Sequence, residues 1–200
     1  MRKKIALLLA LLLLAGMLAA CGGTRTADLH PLLWRVTDAE GHQIYLFGTI
    51  HLGDERNDRV LEKVSPYLEE CDALAVEFDV LAYEKNVAAA VEDYQQFVYT
   101  DGSTIRDHMP EEMYNQCVEL LEKVEAYSPL IDHYNLAMWS QLVQQAVQMT
   151  MSPLDSEKGM DRLLIQTAYD RQIPVWDVES ASFQMAMLNS FPDELYLLQI

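Results

Sequence analysis

His51, Glu77, Asp79, Asp177 and Glu179 are the residues of this 200-residue chain whose types could do chemistry together. Each follows a short apolar run that reads as a β-strand. An imidazole and several carboxylates gathered at strand ends could hold a divalent metal. They could equally work as a general acid/base pair, with His51 or a carboxylate moving protons. Gly-x-Ser-x-Gly, the phosphate-loop pattern and His-Glu-x-x-His are all missing from the sequence, which turns attention away from those chemistries. His108 and His133 lie near helix starts without a ligand-like partner three or four residues on, and read as surface or capping residues.

The elements that must position these groups follow from periodicity and punctuation. Leu32–Val36 reads as a first strand and Asp38-Ala39-Glu40-Gly41 as a turn, with His42 solvated in it. The second strand spans Gln43 to Ile50, with Ile44–Phe47 expected to be buried. It leads into Gly48-Thr49-Ile50-His51, at the end of a strand where open α/β sheets place ligand-handling groups. Gly48, without a Cβ, permits a close approach by backbone or ligand. A helix over about 57–70 presents Val60, Val64, Leu68 and Cys71 on one face, and Ala73–Val76 is a third strand running into Glu77. Strand, helix and strand over 44–77 have the length of a βαβ unit, which predicts parallel strands with His51 and Glu77 at one sheet edge.

The middle of the chain reads as helical: 81–98, then a helix opened by Pro110, then 135–149 with Leu136, Trp139, Leu142, Val143, Ala146 and Val147 as its buried face. Met138, Met149 and Met151 make that neighbourhood methionine-rich, and core packing is the expected role. Gly159-Met160-Asp161 opens a further helix. Pro174–Trp176 is a fourth strand running into Asp177-Val178-Glu179, and amphipathic helical runs follow from Ser180 and Pro192. The expectation is an α/β fold: a mixed sheet opened by a hairpin, a βαβ unit, and a largely helical middle segment.

Half of the residues are apolar and 9% aromatic, enough for one globular domain. The first twenty are processing rather than fold. Arg2-Lys3-Lys4 precedes the unbroken apolar run Ile5–Leu14, and small residues lead to Cys21, as in a secretory signal. Leu18-Ala19-Ala20-Cys21 resembles the lipobox of bacterial lipoproteins, which implies lipidation of Cys21 and anchoring on the extracytoplasmic face of a bacterial membrane. Residues 21–31 then read as a tether. The chain carries a net charge of −17, and losing the three cations of residues 2–4 takes it to −20. Such a surface repels phosphate, so nucleic acid is excluded as a partner. Cys71 and Cys117 are expected as buried thiols rather than a disulfide.

Leu33-Trp34-Arg35-Val36, Gly48-Thr49-Ile50-His51, Ala75-Val76-Glu77, Gly159-Met160-Asp161 and Val175-Trp176-Asp177-Val178-Glu179 occur in this order. Together they resemble the TraB/GumN family, which includes the Tiki proteases. The resemblance implies an EreA/ChaN-like fold over 32–200 and a metal-dependent, peptidase-like hydrolase acting on a peptide or small molecule. It makes His51 and Glu77 the metal-binding and catalytic pair, and adds Gly48, Asp161 and Glu179 as cofactor-binding positions. A haem-binding lipoprotein group shares the broad fold, so a non-catalytic ligand- or haem-binding role is the alternative. The family pattern carries a second Gly-x-x-His toward its carboxyl end, and this chain has only Gly48–His51. The expectation is therefore of a domain incomplete at its carboxyl end, with an inactive domain as a further alternative if that second histidine is required.

Overall fold

The computed structural model describes residues 29–200; the expected signal segment, the lipobox with Cys21 and most of the tether lie outside them. Pro31–Ile200 form one compact unit. It opens with strand β1 (Leu33–Thr37) and strand β2 (Gln43–Phe47), paired antiparallel with Trp34 opposite Leu46 and Val36 opposite Ile44. The Asp38 carboxylate closes the turn by accepting the backbone N–H groups of Glu40 and His42, at 2.9 and 2.8 Å. Gly41 follows at φ +92°, a conformation that disfavours any residue with a Cβ.

This hairpin is a ribbon with one covered face, which corrects the expectation of a buried strand. Phe47 packs against the core beneath, and Tyr45 meets the Tyr67 ring while donating its hydroxyl to Glu70 at 2.7 Å. Ile44 and Leu46, pointing the other way, are 57% and 51% exposed. Alternation sends neighbouring residues to opposite faces, so a continuous apolar run is half outside when only one face is covered.

Helix α1 (Glu55–Leu68) starts at Asp54, whose carboxylate accepts the Arg56 N–H, and it buries Val64, Ser65 and Leu68. Strand β3 (Leu74–Val76) then pairs in parallel with strand β4 (Val175–Asp177), Val76 opposite Asp177. The α/β class stands, but β3 takes β4 as its partner rather than β2. The chain leaving β2 is diverted. Gly53 bridges to Asp155, and the Ile50 carbonyl accepts the Met160 N–H at 2.8 Å, so this segment is committed to residues 155–160.

Helices α2 (Val80–Lys85) and α3 (Val87–Gln95) replace the single helix expected over 81–98. Asn86 divides them, because its side chain caps α3 by accepting the Ala89 N–H and competes with helix continuation. Helix α4 (Glu111–Lys123) and helix α5 (Leu136–Met151) form where expected, but of the expected buried face of α5 Leu142 is half-buried and Val147 exposed. With Phe97, Ile105 and Tyr196 they build the main core, in which Leu136 and Trp139 are fully buried. Met138 is in that core, whereas Met149 and Met151 are exposed. Cys117 is buried, Cys71 half-buried, and both are free thiols.

Helix α6 (Met160–Asp170) runs against α1 and the parallel pair, and Met160, Leu164 and Ala168 form a second, smaller core with Leu68. Helix α7 (Ala181–Leu188) and helix α8 (Asp193–Gln199) complete the fold. Among the described residues no helix is long and apolar enough to cross a membrane.

Candidate functional site

The site is assembled from three chain segments that meet at the carboxyl end of β3. The first is the Gly48–His51 exit from β2. The second is the start of α6, where Gly159 packs so closely on the first segment that a Cβ there would overlap the His51 carbonyl oxygen. That contact sets Asp161, the second residue of α6, beside the His51 ring. Asp161 Oδ2 bonds His51 Nδ1 at 2.7 Å, and Asp161 Oδ1 accepts the Thr49 hydroxyl. His51 is 75% exposed at its side chain and Asp161 only 24%, so the imidazole stands in front of its carboxylate.

The third segment is the parallel pair. Its ladder continues beyond the strands proper: the Val178 N–H donates to the Val76 carbonyl and the Glu179 N–H to the Glu77 carbonyl, at 2.9 and 2.8 Å. The parallel register thus carries Glu77 and Glu179 out side by side. One amide joins them: Gln184 Nε2, on α7, donates to Glu77 Oε2 and to Glu179 Oε2, each at 3.1 Å.

His51, Glu77 and Asp161 line one cavity of about 220 Å³ with Val76, Phe78, Val80, Glu84, Ser156 and Arg162. Arg162 forms a wall rather than a free cation. Its guanidinium makes paired 2.8 Å contacts to both Glu84 oxygens and a 2.9 Å contact to Glu157. The Arg162 hydrogen bonds hold the Glu84 carboxyl below its ordinary range. A larger hollow of about 450 Å³ lies at the start of α1, between Gly53–Arg56 and Pro153, Asp155 and Lys158. It contains none of the residues singled out from the sequence.

His51 and Glu77 therefore border one cavity, brought there by a different route from the expected β2–β3 pairing. Asp79 and Asp177 do other work. Asp177 Oδ1 accepts the Asp79 N–H at 2.8 Å, while Asp79 caps α2 through the Ala82 N–H and accepts the Tyr169 hydroxyl. Gly48 lies against Leu32, to whose carbonyl its N–H donates at 2.9 Å, and is not among the cavity-lining residues. Glu84, Arg162 and Gln184 join the site without having been singled out from the sequence, and Thr49 figured there only as part of the Gly48–His51 motif. Arg162 has a signal in its place beside Asp161, but Glu84 and Gln184 carry none, since they arrive from distant helices. Among the described residues, the one group of three or more possible metal ligands whose ligand atoms all lie within 4.8 Å of one another is Asp38, Glu40 and His42, in the exposed hairpin turn; His51, Glu77 and Asp161 do not form such a group. There the Asp38 carboxylate is already engaged with the turn backbone and with His42 Nδ1 at 2.8 Å.

Fold and site together define an α/β protein with a histidine–carboxylate cavity at the end of a parallel strand pair. The profile of the TraB/PrgY/gumN family matches residues 32–200, and the chain belongs to that family. It is similar to the uncharacterized protein YbaP of Escherichia coli (strain K12), 28% identical over 161 residues, covering 80% of this chain and 56% of that protein. YbaP of Shigella flexneri is 29% identical over 152 residues, covering 75% of this chain and 53% of the relative. The chain thus spans about half the length of the curated relatives it matches. No solved structure matches it significantly.

Proposed function

We propose that this chain is an extracytoplasmic, lipid-anchored member of its family that works as a metal-dependent hydrolase, peptidase-like in its chemistry. The observation that carries the reading is the shared cavity of His51 and Glu77, with His51 Nδ1 already bonded to a carboxylate. Imidazole and carboxylate are donor types that a divalent cation takes. Metal-binding imidazoles typically engage a carboxylate through the nitrogen that does not bind the metal, and Glu77 adds an oxygen ligand of the kind such ions take. His51 Nε2 and Glu77 would hold the ion, which when bound supplies Lewis-acid polarisation of an oxygen. Glu179 is tied to Glu77 through Gln184 and does not line the cavity, so Glu77 is the carboxylate that would hold the ion or accept a proton from the attacking water. Arg162, held by Glu84 and Glu157, keeps one wall rigid.

The cavity favours this reading over haem binding. At about 220 Å³ and lined by five ionisable side chains, it is smaller than the ~300–1,000 Å³ that drug-sized ligands occupy. Anchoring rests on Arg2-Lys3-Lys4, the apolar run to Leu14 and the Leu18–Cys21 box. Fatty-acid labelling in a bacterium tests it: label should be lost in Cys21→Ala, and undiminished label ends the lipoprotein assignment.

Calorimetric titration of the chain with Zn²⁺ or Mn²⁺ tests the site. Two protein ligands hold such ions weakly compared with the three or more of an ordinary catalytic site, so weak binding that disappears in His51→Ala and Glu77→Gln is expected. Tight binding that survives both substitutions would place the metal elsewhere and overturn the assignment.

A further inference from the structure

We infer that Asp161 is a positioning residue that sets the tautomer of His51, holding its proton on Nδ1 and presenting Nε2 as the basic nitrogen. The inference rests on the proposed role of His51 and goes beyond it, because it assigns the device that prepares the imidazole before any ligand arrives.

Three observations and one chemical rule carry it. Asp161 has no oxygen left uncommitted: Oδ1 takes the Thr49 hydroxyl and Oδ2 faces His51 Nδ1 at 2.7 Å. A carboxylate accepts and does not donate when ionised, so the proton of that second bond belongs to Nδ1. Asp161 is in the first turn of α6, where the unpaired backbone N–H groups favour negative charge. It is also the more enclosed partner, set behind His51 rather than in front of it.

The backbone explains why the pair meets with a fixed geometry. Gly159 lets α6 begin in contact with the His51 carbonyl, and the Met160 N–H bonds the Ile50 carbonyl at 2.8 Å. His51 and Asp161 each directly follow a partner in that backbone hydrogen bond, so the two side chains are held close to it. Thr49 and His51, separated by one residue, reach the two oxygens of the same carboxylate. This arrangement places Asp161 as a buttress rather than as a direct contact to a cofactor.

Histidine-selective ¹⁵N NMR of the 200-residue chain, without metal, reads the tautomer directly. The His51 signals are assigned by their loss in His51→Gln, and spectra are taken about two pH units above the ordinary imidazole value. The wild type should show Nδ1 protonated and Nε2 as the bare, pyridine-like nitrogen. In Asp161→Ala, His51 should lose this preference and revert toward the Nε2–H form that free histidine favours, with the thermal melt confirming a folded chain. A wild-type ring protonated on Nε2 overturns the proposal, whether or not the variant folds. So does a folded Asp161→Ala that keeps Nδ1–H. Zn²⁺ affinity supplies the second readout, and losing the buttress should weaken it by about 10- to 100-fold. If the chain binds no metal at all, the hydrolase reading fails while the tautomer result still stands or falls by itself.

Discussion

The helical core around Trp139 and the sheet edge around His51 are held together by different means. The first is a packed interior. Phe97, Ile105, Leu121, Leu136 and Trp139 are almost wholly removed from water, and the Trp139 indole N–H is satisfied by the Ile131 carbonyl at 2.9 Å. Buried apolar area and close packing supply its stability. The second has a small core of Leu68, Met160, Leu164 and Ala168, and its geometry comes from backbone bonds between distant segments: Gly53 to Asp155, Ile50 to Met160, and Glu77 to Glu179. The contrast separates what keeps the chain folded from what aims its chemical groups. A site held by a few directional contacts can lose its aim while the fold survives.

Three substitutions sharpen or break that contrast. The largest effect is expected at Trp139→Ala, which should cost about 3–5 kcal/mol, the usual range for removing a buried aromatic side chain. Urea denaturation measures it, and a loss below about 1 kcal/mol would mean this core is not the main source of stability. Gly159→Ala comes next. The new methyl must displace the His51 carbonyl, so a cost of about 1–3 kcal/mol is expected from overpacking. Its larger consequence should be local, seen as loss of the His51 tautomer preference at a temperature where the variant is still folded. Retention of that preference would show that the aim does not depend on the close approach of α6.

The smallest effect concerns pH. The hydrogen bond to Asp79 pushes the Tyr169 hydroxyl up to about 12, from about 10 in an unfolded chain. A group with a raised folded-state value stabilises the fold fully below its unfolded value, and that contribution disappears as pH rises through the folded one. Tyr169 therefore helps below pH about 10 and loses its contribution toward pH about 12. Tyr169 is substantially exposed, so solvent screening keeps the effect well under about 1 kcal/mol. Tyr169→Phe should flatten this part of the stability–pH curve. An unchanged alkaline slope would remove Tyr169–Asp79 from the account of how α6 is tied to the parallel pair.

Much of the site is legible in the chain because local signals mark it. Gly48–His51 stands where an apolar run turns polar, Glu77 and Glu179 each follow a short strand, and Gly159-Met160-Asp161 has a helix start written into it. The helices α4 and α5 are legible for a related reason: three- and four-residue spacing of apolar side chains is a property of the segment itself. The division of 81–98 at Asn86 is not, since a capping side chain offers only an alternative to helix continuation. Burial of Ile44–Phe47 fails as an expectation because an apolar run does not say how many of its faces will be covered.

The sequence by itself determined the α/β class, the hairpin, the helical middle and the chemical types that a site could use. Tertiary structure decided the partners. β3 pairs with β4 while β2 is occupied by β1 and its exit is captured by residues 155–160. Asp161 is a buttress to His51, and Gln184 a clamp on two glutamates, only because segments far apart in the chain are brought within hydrogen-bond reach. Periodicity is short-range information carried by neighbouring residues. Which strand edge or carboxylate meets which partner depends on long-range packing, where many pairings compete and the whole chain selects one.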